Sequence, residues 1–278
     1  MGNVIVDGDI IAYRAAASLE SKFFREVVVV KYMADQGVSE GTAKEQLRPL
    51  YIHRKSEKFK HDFCAWAEPK SKVHYKVDHI MDAVLTGATG MPFCTKDCCS
   101  VFLTGDTNFR QDVAVSHVYK GTRESPSKPF VLKAAKAYME YAWDAVTSVN
   151  EEADDLIAKA ACKFDYRCVV ASIDKDMLQL PCWHYNIVNR SWTNVSDFDA
   201  MLFFYTQMLT GDAVDNIKGV TGVGPKIAAR VLSGAKTEKD MYKVILKAYD
   251  NDIARITENG RLLWLRRYDN EMWNPPSS

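Results

Sequence analysis

Residues 3–8 read Asn3-Val4-Ile5-Val6-Asp7-Gly8. Three β-branched residues between a polar start and an Asp-Gly pair describe a short strand buried on both faces. Gly8 permits a sharp turn, and Ile10–Leu19, which carries Arg14, reads as the helix that follows. The same strand-then-Asp unit recurs. Ser100–Thr104 runs into Gly105-Asp106, Arg167–Ile173 ends at Asp174, and residues 185–188 read as a fourth strand. Strands alternating with helices predict an α/β fold: a central, mostly parallel sheet with helices on both faces. Ligands of such sheets bind beyond the carboxyl ends of the strands. A single Asp after a strand is ordinary turn chemistry. Three of them, Asp7, Asp106 and Asp174, would meet along one edge.

A denser acidic stretch lies between the second and third of these strands: Asn150-Glu151-Glu152-Ala153-Asp154-Asp155-Leu156. It opens an amphipathic helix, where the macrodipole favours one or two acids. Four carboxylates in five residues repel one another unless a cation sits among them. Asp174 and Asp176 are two apart and face one way in extended chain, whereas Asp212 and Asp215 are three apart and suit one helical face. No Cys or His accompanies these acids at metal spacing. An all-oxygen donor set suits Mg²⁺ or Mn²⁺. So many carboxylates predict two ions about 3.5–4 Å apart, the arrangement that clamps both oxygens in phosphodiester hydrolysis.

The 278 residues are 47% hydrophobic and 26% charged, with 36 basic and 36 acidic side chains and a formal net charge of zero. That is globular composition, and the neutral total argues against a protein that simply coats nucleic acid. No apolar run approaches the ~20 residues of a membrane span. The N-terminus lacks the basic and apolar segments of a secretory signal. Seven unevenly spaced Cys suggest reduced thiols in a cytoplasm.

Two further stretches suit nucleic acid. Gly219-x-x-Gly222-x-Gly224-Pro225-Lys226 forms a glycine hairpin between helices 199–210 and 227–232. Its clustered N–H groups suit a phosphate, with Lys226 and Arg230 one turn apart beside it. Residues 108–136 interleave Arg110, Lys120, Arg123, Lys128, Lys133 and Lys136 with Phe109, Tyr119 and Phe130, a mixture suited to single strands. This stretch reads as a long excursion with little core of its own. Residues 133–146 read as a helix, and 238–267 as mostly helical. Within 20–100, helices are expected near 42–65 and 73–86. The four valines 27–30 fit a strand or a buried helical face equally. His61, Cys64, His74, His79, Cys94, Cys98 and Cys99 fall in the same region at spacings that match zinc sites poorly, and read as ordinary thiols and imidazoles.

Taken in order, these motifs resemble the 5′ nuclease family, which includes flap endonucleases, the 5′-3′ exonuclease domain of bacterial DNA polymerase I and the bacteriophage 5′ nucleases. The resemblance rests on Val6-Asp7-Gly8 with Tyr13-Arg14, and on Asp106 with Phe109-Arg110 and Tyr119-Lys120-Gly-x-Arg123. It continues through Glu152-Ala-Asp154-Asp155 and Ser172-Ile-Asp174-Lys-Asp176, then Gly211-Asp212-x-x-Asp215 and the Gly219–Lys226 hairpin. It implies a PIN-like nuclease sheet with a helical arch, about 108–136, and a helix-hairpin-helix element for duplex DNA. It implies that Asp7, Asp106, Glu152 and Asp154 hold one divalent ion, and that Asp155, Asp174, Asp176, Asp212 and Asp215 hold or approach a second. It further implies that Lys120, Arg123, Arg14 and Tyr119 act near the scissile phosphate, and that hairpin carbonyls bind K⁺. Arg110, Lys128, Gly222, Gly224, Lys226 and Arg230 would contact DNA. Asp9 departs from the family's Ser or Thr, and the Asp7–Asp106 spacing is longer than in compact members.

The resulting expectation is a stand-alone, metal-dependent 5′-3′ exonuclease and 5′-flap endonuclease in a cytoplasm, that of the host if a bacteriophage encodes it. Residues 1–198 would form the nuclease core and 199–278 the helix-hairpin-helix region. RNase H-type action on RNA–DNA hybrids is the alternative with the same site, and a non-catalytic DNA-binding scaffold is the alternative of another class. A PIN-type ribonuclease fits the acids, but the glycine hairpin speaks against it.

Overall fold

The computed structural model describes residues 3–52, 57–67, 71–90, 96–122 and 128–276. Its main sheet has the order β3-β2-β1-β4-β5-β6. The strands are β1 Asn3–Asp7, β2 Cys99–Leu103, β3 Val146–Thr147, β4 Cys168–Ser172, β5 Trp183–Asn186 and β6 Trp192–Asn194. Neighbours are parallel from β3 to β5, and only β6 runs antiparallel, as an edge. β1 is central, with Ile5 between Ser100 on one side and Val170 on the other. Twelve α-helices are described: α1 Gly8–Phe23, α2 Val30–Gln36, α3 Glu40–Ile52, α4 Glu57–Ala67, α5 Ser71–Thr89, α6 Arg110–Val113, α7 Leu132–Ala142, α8 Ala153–Lys163, α9 Asp197–Thr210, α10 Pro225–Leu232, α11 Glu238–Ala248 and α12 Ile253–Leu263. A two-stranded ribbon, β7 Gly211–Asp212 and β8 Ile217–Lys218, lies between α9 and α10.

Side-chain alternation along β1 explains the layering. Val4 and Val6 enter a core with Ala12 and Ala15 of α1, Met81 and Leu85 of α5 and Met139 of α7. Ile5, pointing the other way, meets Ile157 and Ala161 of α8. Both faces of the sheet are covered, as buried parallel strands require. A third core joins α9, α10, α11 and α12 through Phe204, Met208, Ala228, Met241 and Ile256.

Several local expectations are corrected. Residues 24–29 form a π-helical segment that continues α1 into α2, so the four valines are helical. Val29 is buried against Ala43 and Leu47 of α3, so packing between elements settles a choice the sequence left open. α7 stops at Ala142, and Val146 joins β3. The fourth strand lies two residues earlier than expected, and β6, too short to show a period, was missed. Residues 108–136 are helical only in α6 and the start of α7 among the described residues. They are not coreless either, since Phe109 is buried and Tyr119 joins the third core.

Candidate metal and nucleic-acid site

The carboxylates gather at the carboxyl edge of the sheet because the chain turns there three times. Asp7 ends β1 and caps α1, its Oδ1 accepting from Ile10 N at 3.4 Å and its Oδ2 from the Ser172 hydroxyl at 2.8 Å. That same hydroxyl accepts from Asp174 N at 3.0 Å, so the ends of β1 and β4 are tied together. Asp154 enters from the first turn of α8. Burial raises the Asp7 carboxyl to about 7, with repulsion from Asp9 and Asp174 adding to it and the Ser172 hydrogen bond opposing. Burial likewise raises Asp154 well above the usual range, helped by the charges of Asp7, Asp174 and Glu152. Asp106 stands exposed in the loop after β2.

A second group is furnished with partners. Glu152 receives the Lys120 ammonium and, at 3.0 Å, the Tyr119 hydroxyl. The same hydroxyl lies 2.8 Å from Asp215 Oδ2, and one proton cannot serve both acceptors at once. Lys120 N also donates to Asp215 O at 2.9 Å, with the residue held at positive φ. Asp212, almost fully buried in the β7–β8 ribbon, pairs with Lys175 at 2.8 Å. Burial works to raise Asp212, but the Lys175 pair and the backbone donors of Val214 and Asp215 hold it low. Burial raises Asp176 to about 6, with the Asp174 charge adding to it, although Gln207 donates to it at 2.7 Å.

Asp155 was expected among the metal ligands and Arg110 on DNA. The structure instead pairs them with each other. Arg110 Nη1 and Nη2 reach the two Asp155 oxygens at 2.6 and 2.9 Å, and both side chains are shut from solvent. The guanidinium also donates to Leu262 O and Trp264 O at 2.9 Å, and Arg266 N donates to Asp155 at 3.0 Å. Burial works to raise Asp155, but Arg110 outweighs it and holds the carboxyl low. Asp155 also closes the capping box of α8 by accepting from Glu152 N. Its α-helical neighbour Asp154 lies about 100° around the helix, which is why adjacent acids have opposite surroundings.

Among the described residues, no group of three or more His, Cys, Asp or Glu side chains is placed, as it stands, to hold a metal ion. The described cysteines are free thiols. Arg123 and Cys94 lie outside the described residues. Arg14 donates to Ile187 O at 3.0 Å, on the β5 side of the same edge. Gly222 has φ of +78° and Gly224 caps α10, with Lys226 and Arg230 exposed beside it and Lys128 exposed elsewhere. One carbonyl of the hairpin expected to suit K⁺, and the one just before it, are already engaged. Arg255 donates to Gly219 O at 2.7 Å, and Asn259 to Lys218 O at 2.9 Å.

Sequence reading missed Lys175, Gln179 and Gln207. Gln179 donates to Gln207 at 3.0 Å and to Leu263 O at 2.8 Å, while Gln207 reaches Asp176. Two buried glutamines on different elements carry no local motif, although Lys175 was visible between Asp174 and Asp176. Asp9, the departure noted above, pairs with Lys136 at 2.5 Å and accepts from Thr104 N at 2.9 Å, pinning α1 to the end of β2.

No family model matches the chain. Flap endonuclease Xni of Colwellia psychrerythraea is 34% identical over 126 residues, 41% of this chain and 42% of that protein. The Xni protein of Aeromonas hydrophila is 31% identical over 149 residues, 49% of this chain and 52% of that protein. The aligned stretches thus span about half the length of these curated relatives. A flap endonuclease of bacteriophage T5, solved as a pseudo-enzyme-product complex with DNA and metal ions, superposes with a TM-score of 0.54 at 17% identity. That superposition covers 95% of this chain and 89% of the other, and shows the shared fold. In sequence the chain is thus similar to flap endonucleases of the Xni type, and in fold to a bacteriophage flap endonuclease. No described helix is long and apolar enough to cross a membrane.

Proposed function

We propose that this protein is a divalent-metal-dependent 5′ nuclease that hydrolyses DNA phosphodiesters from 5′ ends and at 5′ flaps. The observation that carries the reading is the state of Asp7 and Asp154. They come from different elements, are raised by burial and by neighbouring carboxylates (Asp9 and Asp174 on Asp7; Asp7, Asp174 and Glu152 on Asp154), and form no ion pair among the described residues. Such a pair is relieved by a cation. The donors are all oxygen, which fits Mg²⁺ or Mn²⁺. Asp7, Asp154 and Asp174, with Asp106 and Glu152, would hold one ion, and Asp176, Asp212 and Asp215 would serve a second. Bound ions would lower the pKa of a water and offset charge on the departing oxygen.

The chain's own residues supply the rest. Lys120, held between Glu152 and Asp215, offers an ammonium to the scissile phosphate. Tyr119 fixes the spacing of those two carboxylates. The α10 N-terminus, with Gly222, Gly224, Lys226 and Arg230 exposed, suits the phosphates of the duplex as a helix-hairpin-helix. Residues 199–278 would then be the duplex grip and 1–198 the cutting core. Support comes from Xni relatives named flap endonucleases and from the DNA and metal ions of the T5 complex.

The test is cleavage of a labelled 5′-flap duplex with Mg²⁺, beside Asp154→Ala and EDTA controls. Cleavage near the flap junction that disappears in both controls is expected. Binding without cleavage in Mg²⁺ and Mn²⁺ would replace the nuclease reading with a scaffold. An RNA–DNA hybrid in the same assay measures the alternative substrate.

A further inference from the structure

Beside the carboxylates, on the β5 side, the helices α1 and α5 and the β5–β6 turn enclose a groove. Its inner part, about 240 Å³, is lined by Arg14, Ser18, Lys76, His79 and Arg190 over a floor of Tyr185. It continues past Asp82 and Thr86 as a second cavity of about 360 Å³ that shares His79, Tyr185 and Arg190. Four basic or imidazole side chains thus face one acid, Asp82, in a protein whose total charge is zero. Arg190 is carried there by a left-handed backbone, with φ of +60° in the β5–β6 turn.

The groove also has an aromatic edge. Trp192 is paired with Tyr185 across β5 and β6, and its ring lies 5.2 Å from that of Tyr185. Trp183 stands next on the same face, 6.0 Å from Trp192, and both tryptophans are more than 40% exposed. On α5, exposed Tyr75 stacks parallel to His79 at 6.1 Å. Exposed rings beside basic groups suit unstacked bases and their phosphates, and duplex, whose bases are already stacked, cannot use them. Arg14 lies seven residues along α1 from Asp7, about 10 Å by helical rise. A strand lying on the carboxylates therefore reaches the groove within two or three nucleotides' length.

We propose that this groove holds the single-stranded part of the nucleic-acid substrate, with phosphates on Lys76 and Arg190 and bases on Trp192. The proposal rests on the nuclease reading above and adds a strand track built partly by α5, an element of the extra region between β1 and β2. Binding of a labelled oligothymidylate tests it by fluorescence anisotropy over a salt series. Lys76→Ala/Arg190→Ala should weaken binding about tenfold and flatten the log K against log salt slope by about 1.4, two single-strand phosphate contacts. Trp192→Ala should weaken binding on the order of tenfold through lost stacking. Melting temperature and binding of a blunt duplex should match wild type in all variants. Unchanged oligothymidylate binding in the variants, or a loss in Lys76→Ala/Arg190→Ala with an unchanged salt slope, would overturn the groove while leaving the nuclease reading intact. Wild type that cuts no flap would instead remove the nuclease reading beneath it.

Discussion

Asp154 and Asp155 are consecutive residues of one helix turn, yet they belong to opposite halves of the molecule. Asp155 is locked to Arg110 through two hydrogen bonds and takes a third from Arg266 N. Asp154 faces Asp7, Asp174 and Glu152 and is pushed up by burial and by their charge. The same chemical group is stabilising in one place and frustrated in the other. In the proposed nuclease reading, the internally satisfied half builds the scaffold and the half that would be relieved by a cation carries the chemistry.

The sharpest break of this contrast is the pair of single substitutions. Asp155→Ala leaves the buried Arg110 guanidinium without its carboxylate and should destabilise the fold by about 3–5 kcal/mol in denaturant titration. Asp154→Ala removes a repelled charge. It should leave metal-free stability equal or higher while lowering Mg²⁺-dependent flap cleavage by about 100-fold or more, beyond the loss typical of supporting residues around a metal. Equal loss of stability in the two variants would erase the distinction.

The second way to sharpen it is pH. Asp7 and Asp176 have folded values raised to about 7 and about 6 from 3.8. The folded state therefore binds more protons than the unfolded chain between those values, and stability without metal should rise as pH falls from 8 toward 5. Asp155, held low, contributes the opposite slope, lost only as pH falls through its folded value below the usual carboxylate range. Thermal melting in EDTA reads the rise, and saturating Mg²⁺ should flatten it. A flat profile without metal would mean the acids are not strained.

A smaller effect is expected at Gln207. Gln207→Ala removes the donor to Asp176 and should lower cleavage by about tenfold, at the low end for a residue supporting a ligand. A shift in the Mg²⁺ concentration for half-maximal cleavage separates this from simple unfolding, which melting would show.

The strand-Asp units were legible because β1, β2 and β4 are short apolar runs with β-branched residues, bounded by turn residues and followed by an acid, and length and boundaries identify them. The α9 to α12 region followed from helical patterning and the glycine signals. What escaped was decided by partners distant in sequence. Nothing local distinguishes Asp155 from Asp154, because Arg110 lies 45 residues away. The π-helical valines and the two-residue β3 are settled by packing and by sheet neighbours. Gln179 and Gln207 had no motif to announce them.

Those two glutamines also give the molecule a mechanical character. Gln207 projects from the last turn of α9, the end that leads directly into the β7–β8 ribbon and the exposed turn before α10. Gln179 anchors the same amide chain to Leu263 at the end of α12. The last turn of α9 thus sits one hydrogen bond from Asp176 and a few residues from the turn before α10. In the proposed reading, the segment that would grip duplex and the acids that would cut it are thus joined through one chain of hydrogen bonds.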